Sequence, residues 1–227
     1  MIRLVRLRQA AAGARLQHQL PPSGRRRPGP NLAGWTMLEV FDTAAARDAL
    51  ARRKLPCPDC GAALRPWGRT RERTVRELGG ALLTARPDRA RCTGCQVTHV
   101  VLDACLLPRR AYSAALVGQA LIAAAQGRGH RLIAGQLAVP HGTVRGWIRR
   151  ARASAHRLRA VGVQAVVALD PDALPAQTRP DQLASALDAL GAAAMALGDR
   201  FALPQASPWA RVTVLTRGQL LGLSPAG

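Results

Sequence analysis

Two Cys-x-x-Cys motifs constrain the fold of this chain more than any other feature: CPDC at residues 57–60 and CTGC at residues 92–95. The two-residue gap lets both thiolates of a motif reach one tetrahedral ion at about 2.3 Å, and the neighbouring glycines suit turns that direct backbone N–H groups at sulfur. Two such turns form one four-thiolate site, which has no open position for a catalytic water. We therefore expect a structural Zn²⁺ ion whose ligands are Cys57, Cys60, Cys92 and Cys95.

A β-hairpin predicted between the motifs explains how they meet. Their separation of 31 residues exceeds the usual spacing, but a hairpin returns its two ends to the same place. Residues 70–78 alternate β-branched and Arg side chains, Gly79-Gly80 forms the turn, and the chain returns through residues 82–91. Residues 98–102 are predicted to add a third strand. The whole forms a small zinc ribbon.

Other interpretations of the cysteines are weaker. A disulfide framework needs an export signal, and arginines interrupt every apolar run near the N-terminus. A thioredoxin-like redox pair needs one motif near a βαβ pattern, which is absent, and chance would not place four of the five cysteines in two spaced pairs. His99 is an alternative ligand in place of a cysteine. Cys105, in an apolar stretch, is expected to be a buried small hydrophobic residue.

A helix-turn-helix unit is predicted beyond Pro108, where the hydrophobic period changes from two to 3.6. Its first helix ends at Val139-Pro140, and Pro140 suits the first turn of the next helix because the N–H it lacks would be unpaired there. Residues 113–126 supply the third helix that two short helices need to close a core. The apolar positions are Leu132, Ile133 and Leu137 on the first helix and Val144, Trp147, Ile148 and Ala151 on the second.

The outward side chains of the second helix are polar or basic, as expected of a helix that enters the major groove of duplex DNA. We expect Arg145 and Arg149 to reach guanine edges, with His141 and Thr143 nearby. Phosphate contacts, which fix orientation without recognising sequence, are predicted for Arg128, Arg131, Arg150 and Arg152. The alternative is a solvated basic face on an ordinary three-helix bundle.

The net charge of +20 indicates a polyanionic partner, although an Arg-rich chain with one lysine is also what a GC-rich genome encodes. The distribution of the charge is more informative. Residues 37–160 carry 22 bases and eight acids, whereas residues 161–227 carry four bases and five acids. No window approaches the about 20 consecutive apolar residues that span a bilayer, so an integral membrane protein is excluded.

The first 36 residues carry seven arginines and no acid, and they end in a stretch rich in Pro, Gly and Arg. We expect a disordered basic tail. An organellar transit peptide is an alternative. Because Met37 opens a sequence typical of a protein start, a further hypothesis is that residues 1–36 are a mis-assigned extension, which N-terminal sequencing would decide.

The predicted fold is α+β, mostly α: a small β zinc ribbon, a three-helix helix-turn-helix unit and a C-terminal helical segment. The expected divisions are the tail at 1–36, a short helix within 37–56, the ribbon at 57–107, the helix-turn-helix domain at 108–165, a linker at 166–180 and the C-terminal segment at 181–227. The C-terminal helix has an apolar stripe (Leu183, Leu187, Leu190, Ala194, Leu197) that we expect to pack within the chain. A homodimer through this stripe is the alternative, and it would contact two half-sites about 34 Å apart.

The ordered set of motifs resembles a family of bacterial proteins, actinobacterial in character, related to the N-termini of transposases. In this family a zinc ribbon precedes a helix-turn-helix, and some members are grouped as domains of unknown function. The resemblance covers about residues 55–165 and rests on CPDCG followed by Trp67 and Gly68, RARCTGC, THVVL, LLPRRAYS and GRGHRLIAGQLAVPHGTVRGWIRRAR. It implies DNA binding, often at mobile-element ends, and a cytoplasmic, nucleoid-associated location. Gln96 departs from the pattern, because such ribbons often have Gly after the second cysteine pair.

Catalysis by this chain alone is not expected. Related transposases gather three acids in a following catalytic domain, which needs many more residues than the about 60 that follow residue 165. P-loop, G-x-S-x-G and H-E-x-x-H motifs are absent. We predict a non-enzymatic DNA-binding protein that acts as a regulator or a mobile-element end-binding factor. The alternatives are an adaptor whose ribbon docks on polymerase or a recombinase, and RNA binding, which the scarcity of aromatic residues for base stacking disfavours.

Overall fold

A computed structural model describes residues 36–173 and 177–222. The fold is α+β and mostly helical, as predicted: a β-sheet half that carries the cysteines is followed by a helical half. The strands are β1 Thr36–Val40, β2 Leu64–Arg69, β3 Arg73–Arg76, β4 Leu82–Ala85, β5 Asp88–Cys92 and β6 Thr98–Asp103. The helices are α1 Thr43–Ala51, α2 Ala114–Ala125, α3 His130–Leu137, α4 His141–Ala153, α5 Ala155–Leu169, α6 Gln182–Phe201 and α7 Pro208–Leu215. The predicted tail lies outside the described residues, apart from Thr36.

The main sheet has the strand order β1-β6-β5-β2, and one of its faces packs against α1. Strand β1 pairs parallel with β6, whereas β5 pairs antiparallel with both β6 and β2. The prediction for residues 37–56 contained only a short helix. It located α1 but missed β1, whose partner β6 lies about 60 residues later in the chain.

The hairpin predicted between the cysteine motifs is present as β3-β4, with Arg76 opposite Leu82 and a turn at Gly79-Gly80. Both glycines have φ near +90°, a conformation that suits Gly. The predicted return strand, residues 82–91, is divided: β4 pairs only with β3, and β5 joins the main sheet. The division falls at Pro87, which cannot donate a ladder hydrogen bond.

The helical half is built around one apolar core that extends from α2 to the chain beyond α7. Helices α2, α3 and α4 form the predicted three-helix unit, and α6 packs on α5 and α7. Four members of the predicted apolar stripe on α6, namely Leu183, Leu190, Ala194 and Leu197, are buried in this core, and Leu187 is half-buried. Helix α5 extends to Leu169 and so occupies the start of the predicted 166–180 linker.

Side-chain caps determine where several helices begin. Asp42, Ser113, Asp181 and Ser207 each accept a hydrogen bond from the backbone N–H three residues later, at distances of 2.8 to 3.3 Å. Such a cap satisfies one of the backbone donors left unpaired in the first helical turn. No described helix is both long and apolar enough to cross a membrane.

The hairpin connects the two halves of the molecule at the turn between α3 and α4. The Arg76 guanidinium donates to the Ala138 carbonyl at 2.8 Å. Next to it, Arg76 forms an isolated β-bridge with Tyr112, whose ring meets the Trp147 ring edge-on at a centroid distance of 5.0 Å. The β half therefore supports the turn that sets the angle between α3 and α4.

Candidate metal centre and nucleic-acid interface

The two Cys-x-x-Cys turns lie at the same end of the sheet. The first precedes β2, the second connects β5 to β6, and the antiparallel pairing of β2 with β5 places Leu64 opposite Cys92. Each turn is closed by a backbone hydrogen bond, from Cys57 N–H to the Ala62 carbonyl at 2.7 Å and from Cys92 N–H to the Val97 carbonyl at 2.9 Å. The predicted hairpin forms a separate two-stranded sheet, and it is the pairing of β2 with β5 that brings the two cysteine turns together.

The four predicted ligands form one compact cluster. Their sulfur atoms all lie within 4.8 Å of one another. Cys60 Sγ is 3.3 Å from Cys92 Sγ, and Cys57 Sγ is 3.7 Å from Cys95 Sγ. A tetrahedral ion with Zn–S bonds of about 2.3 Å requires sulfurs about 3.8 Å apart. The cluster thus fits a tetrahedral metal ion such as zinc without a change in backbone.

Backbone N–H groups point at the sulfurs and tune their acidity. The Gly94 N–H donates to Cys92 Sγ at 3.3 Å. A backbone hydrogen bond from Ala62 lowers the pKa of Cys60 to about 7, whereas burial raises the pKa of Cys57 well above its ordinary value. In the metal-free chain Cys60 therefore forms a thiolate more readily than Cys57, and a bound dication must displace the proton of Cys57.

The second turn adopts its knuckle geometry despite lacking a glycine after the motif. Gln96 has φ +63°, in the left-handed region, and its side-chain amide donates to the Thr93 carbonyl at 3.0 Å. Gly61, the corresponding residue of the first turn, has φ +79°. A glycine is needed at 94, where a Cβ atom would lie 2.9 Å from the Ala62 Cβ. The sequence departure at Gln96 therefore leaves the turn intact.

His99 lies against the cluster and is fully buried. Its Nε2 is 3.4 Å from Cys57 Sγ, and burial lowers its pKa. The ligand atoms of Cys57, Asp59 and His99 also lie within 4.8 Å of one another, so the alternative with a histidine ligand retains a geometric basis. Because all four sulfurs already lie together, His99 is placed as a neighbour that supports Cys57.

The prediction that Cys105 is buried is wrong. Cys105 is exposed, in the turn that follows β6, where its backbone N–H donates to the Asp103 carboxylate at 2.7 Å. Leu106 and Leu107 take the buried positions of this apolar stretch instead. The side-chain composition of the segment indicated burial, but the turn selects which residues face inward.

The helix-turn-helix has the predicted core on its second helix. Val144, Trp147, Ile148 and Ala151 are all buried. On α3, Ile133 is buried and Leu137 is half-buried, but Leu132 is 57% exposed, so its assignment to the apolar face is wrong. Pro140 was predicted within the first turn of the second helix. It is the N-cap residue of α4 and so lies just before that turn.

Most predicted DNA-contacting residues are accessible. Six are exposed, namely Arg128, Arg131, His141, Arg145, Arg149 and Arg152, and two are half-buried, namely Thr143 and Arg150. Helical periodicity places Arg145 and Arg149 on the side of α4 opposite its buried residues, together with Gly142 and Gly146. Because Gly142 is exposed and has no side chain, the α4 backbone is accessible at this residue.

Some of these residues have local partners. Arg128 donates to the Gln136 side chain at 3.3 Å, and the His130 and His141 rings lie 6.3 Å apart at the starts of α3 and α4. Arg150 folds over Gly146, where a Cβ would lie 3.4 Å from its Nη2. Burial, followed by the positive charges of Arg110 and Arg149, lowers the pKa of Arg150.

Part of the chain matches a described family. Residues 57–133 match the family described as a domain of unknown function (DUF6431). The match contains both cysteine motifs, α2 and the start of α3, and it ends before α4. No curated protein and no solved structure matches the chain.

The charge around and beyond the end of the DUF6431 match is almost entirely positive. Residues 104–169 contain ten arginines and no aspartate or glutamate. Within the described ranges, the ion pairs involve the sheet, α1 and the start of α6, and none involves an arginine of α3 or α4. The α4 surface therefore carries uncompensated positive charge.

Proposed function

We propose that this chain is a non-catalytic DNA-binding protein in which the four cysteines hold Zn²⁺ and α4 contacts base edges in the major groove. The observation that carries the proposal is the acid-free arginine content of residues 104–169, presented on a helix-turn-helix whose second helix has an unpaired basic face. A cellular role as a regulator or a mobile-element end-binding factor follows, in a nucleoid-associated cytoplasmic location.

The geometry of α4 supports contact with the major groove. Arg145 and Arg149 stand on its outward side, and guanidinium groups form bidentate hydrogen bonds with guanine O6 and N7. Gly142 and Gly146 lie on the same side, and a Cβ at Gly142 would meet nothing within 4 Å, so packing within the chain does not require glycine there. Arg152 and the arginines near the start of α3 are assigned to phosphates.

Zinc is the proposed ion because the site offers four thiolates in a tetrahedron and no open position. Its role is structural: the β half is small, and its largest apolar cluster includes Cys57 and Cys92 themselves. Metal analysis of protein purified under reducing conditions should give one zinc per chain. If iron were found in place of zinc, the identity of the proposed ion would change. If no metal were bound, the proposed metal site would be contradicted.

The proposal leaves catalysis out because two of the five C-terminal acids have structural positions and the described residues form no carboxylate cluster that could hold metal ions. Asp181 caps α6, and Asp188 forms an ion pair with Arg179. Among the described residues, the groups that could hold a metal ion are the four cysteines and the Cys57, Asp59 and His99 set. Neither resembles the carboxylate cluster that holds two metal ions in nucleases and polymerases.

Equilibrium binding of the zinc-loaded full chain to duplex DNA across a salt series tests the proposal. We expect the logarithm of affinity to fall linearly with the logarithm of salt concentration, by about 0.9 per phosphate neutralised. Arg145→Ala should cost about 1 to 3 kcal/mol and weaken sequence preference, whereas Arg152→Ala should weaken all sequences alike. Arg200→Ala, at the exposed end of α6, is the matched control. Equal DNA affinity for the unmodified chain and all three variants would contradict docking through α4.

An adaptor that docks on polymerase or a recombinase remains the second candidate, and one observation favours it. The β3-β4 hairpin exposes three leucines, with Leu82 71%, Leu78 48% and Leu83 39% exposed. Apolar side chains exposed on one short hairpin favour a protein interaction site. If Leu82→Ser abolished the cellular function while DNA affinity was unchanged, the adaptor would be favoured.

Four of the five residues of the apolar stripe on α6 are buried within the chain, which supports packing within the chain over a homodimer through this stripe. A dimer formed through another surface would still contact two DNA half-sites. Sedimentation at high micromolar concentration decides between monomer and dimer.

A further inference from the structure

An exposed tryptophan lies against two arginines on the main sheet. Trp67, in β2, is 41% exposed. The guanidinium carbons of Arg65 and Arg91 lie 4.9 Å and 4.7 Å from the centre of its ring. These distances are typical of cation–π contacts. The three side chains form what we call the arginine–tryptophan cluster.

The cluster faces away from the metal site. Side chains alternate between the two faces along a strand. Leu64, Ala90 and Cys92 are buried on the face that packs against α1, so Arg65 and Arg91, one residue along, belong to the opposite face. A ligand could therefore bind at the cluster without disturbing the metal site.

The pairing of the two arginines opposes folding. Arg65 and Arg91 are directly opposite each other in the antiparallel register. Like charges at such positions destabilise a sheet. Contact with the Trp67 ring offsets part of this cost but leaves both charges in place. An anion that contacts both guanidinium groups would reduce the repulsion.

A backbone irregularity accompanies the ring. The β2-β5 register shifts between Pro66 and Arg69, and Gly68 within this bulge has φ +95°. No atom lies within 4 Å of a Cβ at Gly68, so the glycine serves the backbone conformation rather than packing. Bulges often redirect a side chain next to a functional site. Here the bulge contains Trp67.

The cluster lacks acidic partners within the described part of the chain. The nearest acid along β5, Asp88, is already shared by Arg47 and Arg69 at 2.8 and 3.0 Å. The Nε of Arg91 is buried without a hydrogen-bond partner. A guanidinium stacked on an aromatic ring still presents N–H groups at its edge, and these match phosphate oxygens in pairs.

We propose that the arginine–tryptophan cluster is a second DNA-contacting surface that binds the phosphodiester backbone. The inference rests on the proposed function, because it takes the polyanion to be DNA. In this arrangement the sheet adds DNA affinity that does not depend on the base sequence, and α4 recognises the bases. Trp67 acts as a rigid platform that holds both guanidinium groups in place.

The first test uses the zinc-loaded full chain in the salt-series assay. The double variant Arg65→Gln/Arg91→Gln should reduce the salt slope by about 1.8, because two phosphates are no longer neutralised. The reduction should be equal on specific and unrelated duplexes, and sequence preference should be unchanged. Arg200→Gln is the control, and unchanged zinc content and circular dichroism show that each variant is folded.

The second test uses the Trp67 ring as the probe. Subtracting the fluorescence of Trp67→Phe from that of the unmodified chain isolates the emission of this residue, which should change when duplex DNA is added. A change with single-stranded DNA alone would overturn the duplex assignment, since it would indicate an unpaired base on the ring. Fluorescence that is unaffected by either DNA would overturn the inference.

The outcomes separate the two proposals. If the double variant keeps the salt slope and affinity of the unmodified chain while Arg145→Ala loses preference, the second surface is wrong and the role of α4 stands. If Arg145→Ala has no effect while the double variant loses affinity, the sheet contact stands and recognition through α4 is wrong. An unmodified chain without DNA affinity would overturn both.

Discussion

A close backbone approach between α5 and α6 makes a sharp test of how the C-terminal half of this protein is packed. At Gly162 in α5, a Cβ would lie 2.6 Å from the carbonyl carbon of Ala189 and 2.8 Å from the backbone nitrogen of Leu190. Ordinary contacts begin at 3.4 Å, so Gly162→Ala requires α6 to retreat by about 0.8 Å. The obstructing atoms are backbone and cannot rotate away.

The expected change in stability follows from two opposing effects. Overpacking of a core costs about 1 to 3 kcal/mol, and an obstruction by backbone belongs at the upper end. Alanine in place of glycine in a helix returns about 1 kcal/mol. Gly162→Ala should therefore lower the free energy of unfolding by about 2 kcal/mol. Gly191→Ala, on the exposed side of α6 with nothing within 4 Å, should raise it by about 1 kcal/mol.

Urea denaturation of the zinc-loaded full chain, followed by circular dichroism, measures both variants. In thermal unfolding, the Gly162 variant should melt roughly 4 to 8 °C below the unmodified chain and the Gly191 variant roughly 2 to 4 °C above it. Equal stabilities for the two variants would refute the backbone contact between α5 and α6. The C-terminal segment would then not pack on α5 as described.

Three further predictions concern the metal, pH and a helix cap. Chelation, or Cys92→Ser, should reduce β-sheet circular dichroism more than helical signal; an unchanged spectrum would refute a structural role for the ion. Burial raises the pKa of Glu39 to about 7 from 4.5. Glu39 therefore contributes stability that is complete below pH 4.5 and lost as the pH rises through 7. Glu39→Gln should remove about 2.5 kcal/mol of pH dependence from urea denaturation compared at pH 5 and pH 8. Ser113→Ala, at the start of α2, should cost about 1 kcal/mol in the same assay, and no loss would show that its hydrogen bond to Leu116 is dispensable.

Local patterns allowed much of this fold to be predicted from sequence. The spacing of the cysteines predicted the cluster because a two-residue gap is a property of one turn. The helices of the helix-turn-helix were predicted because Val144, Trp147 and Ile148 repeat at the helical period. Each Cys-x-x-Cys turn and each helix is formed by residues close together in the chain, and local spacing therefore records it.

The errors arose where distant contacts decide the structure. Strand β1 was missed because it is stabilised by a parallel partner far along the chain. Strand β2 was missed because Pro66 and the bulge at Gly68 interrupt its alternation. Leu132 was assigned to the apolar face of α3 on periodicity alone, although no neighbouring element covers it sufficiently to bury it. The contact of Arg65 and Arg91 with the Trp67 ring also depends on pairing between strands that sequence periodicity did not reveal.

Strand β1 has a practical consequence for anyone who expresses only the region that matches DUF6431. A fragment beginning at residue 57 would lack both β1 and α1, so β6 would become an edge strand. Its backbone N–H and C=O groups would be open to pairing with another molecule. The apolar face that α1 covers would meet water as well. Insolubility of such a fragment would therefore report a misplaced boundary and would say nothing against the stability of the complete fold.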